Sequence, residues 1–156
     1  MLILRRYVPQ DLDAIVEIEM KAFTVGPYSR RMLQRVLKEG GSISVVAEVD
    51  SVIAGYAVLL PLNRNQADIE TIAVLPEFHG KGIADRLIEY LEKEAFEKGF
   101  SEIILEVRDR NFRAISFYRR HGYHEISHIP GFYHEYYDGS RGAFRMSKSL
   151  ESLSDP

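Results

Sequence analysis

Apolar residues recur along this chain with two periods, about 3.6 residues in some stretches and 2 in others, and the switches between them lay out the elements. Residues 2–7 read as a short strand, ended by Pro9-Gln10-Asp11. Leu12, Ile15, Ile18 and Ala22 then fall at helical spacing and predict a helix over 11–23, broken at Gly26-Pro27. Ser29 is placed to cap a second helix with Met32, Leu33, Val36 and Leu37 on its apolar face, stopped by Gly40-Gly41. The stretches 43–49 and 52–62 are rich in β-branched residues and flank Asp50-Ser51, which predicts a hairpin. A third such stretch, 69–75, stops at Pro76.

The longest stripe is Ile83, Leu87, Ile88, Leu91 and Ala95, a long helix with Gly99 as its stop. Residues 103–107 read as a strand. Asn111 can cap a helix bearing Ala114, Ile115 and Tyr118 that ends near Gly122. Strands at about 123–129 and 143–149 close the chain around a Tyr-rich turn. The order β-α-α-β-β-β-α-β-α-β-β predicts one α/β domain over residues 1–150, a mixed sheet with helices on both faces, and a disordered tail over 151–156.

Composition narrows this picture. A chain of 156 residues can bury a sizeable core without staples. It has no cysteine, so disulfides, thiolate metal sites and a cysteine nucleophile are excluded. The net charge of −3 argues against a broad nucleic-acid footprint, although Arg108, Arg110, Arg113, Arg119 and Arg120 cluster locally. No stretch approaches the ~20 apolar residues of a membrane span, and the opening apolar run is too short for a signal peptide. A soluble cytoplasmic protein, monomer or homodimer, with no metal, is the expectation.

The first chemical signal is His79-Gly80-Lys81-Gly82-Ile83-Ala84, between a strand and the long helix. A helix's first turn has unpaired N–H groups and partial positive charge, which suits phosphate. Glycine lets the backbone turn sharply and come close. A flexible lead into the helix explains the same residues. A Walker loop does not, because no Gly-Lys-Ser/Thr follows, and neither does a dinucleotide fingerprint, which needs a third glycine.

The second signal is a pair of proton-carrying groups. Glu106 lies near the C-terminal end of its strand, where open α/β sheets bind ligands, and partial burial would make it a stronger base. It could equally pair with Arg108 or stand exposed at the sheet edge. Tyr118 lies on the helix face turned to the sheet, as a proton donor or an ordinary core tyrosine. His124-Glu125-Ile126-Ser127-His128 spells a zinc-protease motif, but on a strand the two imidazoles stand about 13 Å apart and cannot share an ion.

The run from Thr71 to Ala84 resembles motif A of the Gcn5-related N-acetyltransferases (GNAT), with Gly82 and Ala84 matching and His79 standing where Gln or Arg is usual. The resemblance in element order spans about residues 2–149. It implies a mixed, mostly antiparallel sheet with acetyl-coenzyme A in a split between the strands after the hairpin. Backbone groups of Ile72, Ala73 and Val74 would then meet the pantetheine arm, and residues 79–84 the pyrophosphate. Leu105-Glu106-Val107-Arg108, Asn111, Ala114-Ile115, Tyr118 and Gly122-Tyr123 are similar to the matching run of the ribosomal-protein alanine and other N-terminal acetyltransferases. By that likeness Glu106 is the base, Tyr118 the acid toward the thiolate and a neighbour of the cofactor, and Asn111 a contact of the cofactor arm as well as a helix cap.

On the acceptor side the aromatic cluster Phe132, Tyr133, Tyr136, Tyr137 reads as a hairpin with cross-strand aromatic pairs and an Asp138-Gly139 turn. The resemblance adds that Tyr28, Tyr136 and Tyr137 hold the first residues of a peptide. It also marks two departures: Gly26 where a glutamate contributes in the archaeal branch, and Gly142 where an acidic residue is usual. The acceptor implied is a protein or peptide N-terminus. A small amine such as a polyamine, drawn by Asp68 and Glu70, is the alternative, and a non-catalytic acyl-CoA-binding module is another.

Overall fold

A computed structural model describes residues 1–151. Its seven strands are β1 (Leu2–Arg6), β2 (Ile43–Val49), β3 (Val52–Pro61), β4 (Gln66–Val74), β5 (Glu102–Arg108), β6 (His124–Ile129) and β7 (Ala143–Ser149). Its helices are α1 (Leu12–Ala22), α2 (Arg30–Lys38), α3 (Ile83–Glu97) and α4 (Phe112–Arg120). The predicted α/β order holds throughout. The tail expected over 151–156 lies outside the described residues, apart from Glu151. Among the described residues no helix is long and apolar enough to cross a membrane.

The strands form one sheet in the order β1-β2-β3-β4-β5-β7-β6. Every neighbouring pair is antiparallel except β4 and β5. Strand alternation divides the core in two. Val45, Ala47, Ala57, Leu59, Leu105 and Met146 point to the side carrying α3 and α4, where Leu87, Ile88, Leu91 and Ile115 complete one cluster. Val46, Tyr56 and Val58 point to the other side, against Ile15, Ile18, Leu33 and Leu37 of α1 and α2. Helices therefore cover both faces, as expected.

Three details differ from the sequence reading. Pro9-Gln10-Asp11 forms a 3₁₀ turn, with Asp11 buried as the acceptor for the Val8 N–H and for Arg5. β4 begins at Gln66, because Gln66 and Asp68 pair with the start of β5 despite their polarity. The aromatic stretch around 132–140 is a loop that carries one isolated bridge, Tyr137 to Ser140, with no ladder of aromatic pairs. The Asp138-Gly139 turn itself is present, both residues having positive φ (50° and 81°), as the mirror-image hairpin turn requires.

Candidate active site

β4 and β5 pair at only three positions, Gln66 with Glu102, Ala67 with Ile103 and Asp68 with Ile104. Beyond them β4 stays with β3 and β5 stays with β7, so the two diverge. The sheet opens there into a V whose walls are the C-terminal parts of β4 and β5. Ile72, Ala73 and Val74 lie on the β4 wall.

At the end of that wall the chain makes a 3₁₀ turn, Pro76–Phe78, and reaches α3 through His79, Gly80, Lys81 and Gly82. Gly80 and Gly82 hold φ of 79° and 78°, a region that a side chain makes costly. No atom lies within 4 Å of a Cβ placed on Gly80, so its backbone is open to a ligand. Ile83 is buried and Ala84 packs on the core, which fixes the first turn of α3 and the direction of its free N–H groups. His79 is a strut: its Nε2 bonds the Val74 carbonyl at 3.1 Å and its Nδ1 faces the Arg113 guanidinium at 3.4 Å. The carbonyl acceptor puts the proton on Nε2 and leaves Nδ1 to accept from Arg113. Backbone donors on glycine, a helix N-terminus and the nearby Lys81 and Arg113 cations suit a pyrophosphate.

The α1–α2 side of the V is polar. Glu106 is the partner of Arg145 in the β5–β7 register, and Arg145 Nε donates to Glu106 Oε2 at 2.8 Å. Its partner is thus Arg145 and not Arg108. Arg108 instead lies over the Tyr133 ring, 4.0 Å from its centre, and donates to the Glu135 carbonyl at 3.0 Å. Asp68 faces the same side and is buried, with no hydrogen-bond partner for Oδ1. Burial, a proton shared with Glu70 and the charge of Glu106 hold its carboxyl far above the usual carboxylate range. Next to it the register with β3 jumps from Thr71 to Ile69, leaving Glu70 as the extra residue of a bulge. Glu70 accepts from the Tyr28 hydroxyl at 3.5 Å. Tyr28 is itself fixed through its N–H, which donates to the buried Glu19 at 2.9 Å, and Glu19 also takes the Tyr56 hydroxyl.

Tyr118 comes from the opposite side of the sheet. Its ring meets Phe117 and Tyr123 edge to face at 5.3 and 5.9 Å. Burial pushes its hydroxyl well above the usual tyrosine range, and Tyr133 adds to the rise. The Tyr133 hydroxyl is pushed up to about 12, first by burial; Arg108 opposes this and Glu106, Asp109 and Asp68 reinforce it. Tyr133 therefore feels both Glu106 and Tyr118. Asn111 Oδ1 accepts from the Ala114 N–H at 3.2 Å, the predicted cap of α4.

Tyr133 of the aromatic cluster is half-buried beneath Arg108. Tyr136 is 66% exposed with Arg141 beside its ring, and Tyr137 closes the turn with Ser140. Carboxylates also stand over the two glycines that depart from the family pattern. A Cβ on Gly26 would lie 2.9 Å from Glu135 Oε2, and one on Gly142 would collide with Asp109. His124–Ile129 is a strand, so its two histidines are not arranged as on a helix. Among the described residues no cluster of His, Asp or Glu is placed to hold a metal ion.

The sequence model of the Acetyltransferase (GNAT) family matches residues 12–123. An uncharacterized N-acetyltransferase of Methanocaldococcus jannaschii is 32% identical over 156 residues, covering 99% of this chain and 96% of that protein. An N-alpha-acetyltransferase of Saccharolobus solfataricus is 30% identical, covering 94% and 92%. The crystal structure of the ribosomal-protein-S18-alanine N-acetyltransferase from Escherichia coli superposes with a TM-score of 0.87 at 25% identity, covering 96% and 94%.

Proposed function

The chain belongs to the Acetyltransferase (GNAT) family, and from that premise we propose that it acetylates the α-amine at the N-terminus of a protein or peptide. Acetyl-coenzyme A supplies a thioester that the amine attacks directly; the chain has no cysteine to carry an acyl group. Gly80, Gly82, Ile83 and Ala84 would hold the pyrophosphate through backbone N–H groups, with Lys81 and Arg113 as counter-charges. His79 would fix the loop rather than touch phosphate. Ile72, Ala73 and Val74 would meet the pantetheine arm along β4, and Asn111 would meet it from the start of α4.

An α-amine has a pKa near 8 and arrives largely as the ammonium ion at neutral pH. Glu106 takes its proton, directly or through one water, and Arg145 holds the carboxylate in place. Tyr118, kept protonated by burial, gives a proton to the departing thiolate and is restored by the second N–H proton, which the nitrogen sheds as the amide forms. The observation that carries this reading is Glu106 on the β5 wall where β4 and β5 part, its Oε2 held by Arg145 at 2.8 Å. Tyr28 and Tyr133 would border the peptide slot, with Tyr136 and Tyr137 at its outer rim. Two relatives, one named as an N-alpha-acetyltransferase and one as a ribosomal-protein-S18-alanine N-acetyltransferase, support a protein acceptor.

One observation favours a second acceptor. Glu70 is partly exposed on this side of the V and, among the described residues, has no Lys or Arg in hydrogen-bond contact, which suits a polyamine. Thiol release from acetyl-coenzyme A separates the two. The probes are a peptide with a free alanine terminus, the same peptide N-blocked with an internal lysine, and spermidine. Release with the free-terminus peptide alone is the expected result; release with spermidine alone would replace the peptide by the polyamine.

A further inference from the structure

Asp68 stands at the vertex of the V, the last residue of β4 to pair with β5. Its Oδ1 is enclosed and has no hydrogen-bond partner, a costly arrangement for a polar atom unless it serves a purpose. Ile104 is its partner on β5, and Glu106 is two residues further along the same face. Strand geometry puts the Cα atoms of Asp68 and Glu106 roughly 8 Å apart, a gap that the two side chains can span. On its other side Asp68 shares a proton with Glu70. The bulge sets Glu70 out of the β3–β4 ladder, and its carboxylate is partly exposed beneath Tyr28. The charged and titratable groups around Asp68 are thus Glu70 on its own strand, Glu106 on β5, Arg145 on β7, Tyr28 before α2 and Tyr133 in the last loop.

We propose that Asp68 and Glu70 are the route by which the proton taken up by Glu106 leaves the site. The inference rests on the reading of Glu106 as the base. Acetylation of an ammonium ion yields an amide, a thiol and one proton, and that proton must reach water before the next turnover. The N–H bond breaks with its electron pair remaining on nitrogen, and an O–H bond forms on Glu106. The proton then passes directly to Asp68 Oδ1. As that O–H bond forms, Asp68 releases the proton on its other oxygen to Glu70, so it gains one and loses one. Glu70 gives the proton to solvent, and Glu106 is again a carboxylate beside Arg145. A neutral Asp68 is what the step requires: one oxygen free to accept while the other donates. Asp68 acts through Glu106 and is a positioning residue for the proton, with no contact to the acceptor needed.

The test uses Asp68→Asn and Glu70→Gln, assayed by thiol release with whichever of the alanine-terminal peptide or spermidine the wild type acetylates. The amide keeps the shape of the acid but cannot relay. For both variants the expected result is a kcat at least tenfold lower, a KM for acetyl-coenzyme A within twofold of wild type, and recovery of rate as imidazole is added to carry the proton. A kcat within threefold of wild type, or a larger loss that imidazole does not restore, overturns the relay and leaves Glu106 as the base. A wild type that releases no thiol with either probe overturns the acetylation reading and the relay with it.

Discussion

Arg145 on β7 reaches across the register to Glu106 on β5 and joins it at 2.8 Å, Nε to Oε2. The pair fixes one carboxylate oxygen, Oε2, and holds the side chain in place. Glu106→Gln keeps size and polarity but cannot take a proton. Its kcat is expected to fall about 10²- to 10⁴-fold. The dissociation constant for coenzyme A, measured by calorimetry, should stay within twofold. Equal turnover by the variant and wild type would remove Glu106 from the mechanism.

Tyr118 donates no hydrogen bond to any described residue, so its hydroxyl adds little to the folded state. Tyr118→Phe should therefore leave the thermal midpoint within about 2 °C, since a change well under 1 kcal/mol moves it only that far in a domain of this size. Turnover should drop about 100-fold if the hydroxyl protonates the thiolate. A variant with a weak midpoint and normal turnover would mark Tyr118 as a packing residue.

Gly80→Ala separates ligand binding from folding. The new methyl meets nothing in the free protein, and its positive φ costs about 1 kcal/mol. The same methyl stands in the space a pyrophosphate would use. The KM for acetyl-coenzyme A should rise tenfold or more, against a small fall in stability by urea titration. An unchanged KM would move the phosphate off this turn.

Glu92 is buried on α3 and is held by the Tyr123 hydroxyl at 2.9 Å and by Lys148 on β7 at 3.1 Å. Lys148→Met strands that carboxylate and should cost about 3 kcal/mol. Replacing Glu92 and Lys148 together by methionine should recover most of the loss, because neither desolvated charge remains. Chemical denaturation of the single and double variants gives the coupling directly.

Asp11 provides a pH signature. Arg5 holds its carboxyl below the usual range; burial opposes this and the Val8 N–H assists it. A folded value below the unfolded one means stabilisation at pH above the unfolded value, near 3.9, that is lost as pH falls through the folded value. Wild type and Asp11→Asn should differ in unfolding free energy near pH 6 and draw together as pH falls through the folded value. A constant gap across that range would mean that the acid is structural without its charge.

The elements were legible because their signals are local. The α3 stripe, the Ser29 and Asn111 caps and the Asp138-Gly139 turn each depend on residues within a few positions of one another. The partners of the site were not legible, for a physical reason. Arg145 meets Glu106 only because β7 inserts between β5 and β6, and one residue of slip would turn it to the other face. The packing of Tyr133 against Arg108 depends on how an irregular loop is pinned, which no periodicity encodes. Glu106 and Tyr118 were named from pattern and resemblance; Glu106 lies on the β5 wall of the opening, and Tyr118 packs beside Phe117 and Tyr123 on the α3–α4 side. Asp68 read as a sheet-edge charge or a lure for cations; its burial shows only when β5 is laid beside it.

A sheet of seven strands normally has two edges, but this one has four. Its outer edges are β1 and β6, and the parting of β4 from β5 after three residue pairs adds two inner ones. Exposed strand edges invite any extended chain to add itself, including a second copy of the protein. Here both inner edges face each other across the opening, so an extended chain that adds to one of them also meets the other. The same divergence that makes room for an extended ligand thus gives it two walls of unpaired backbone.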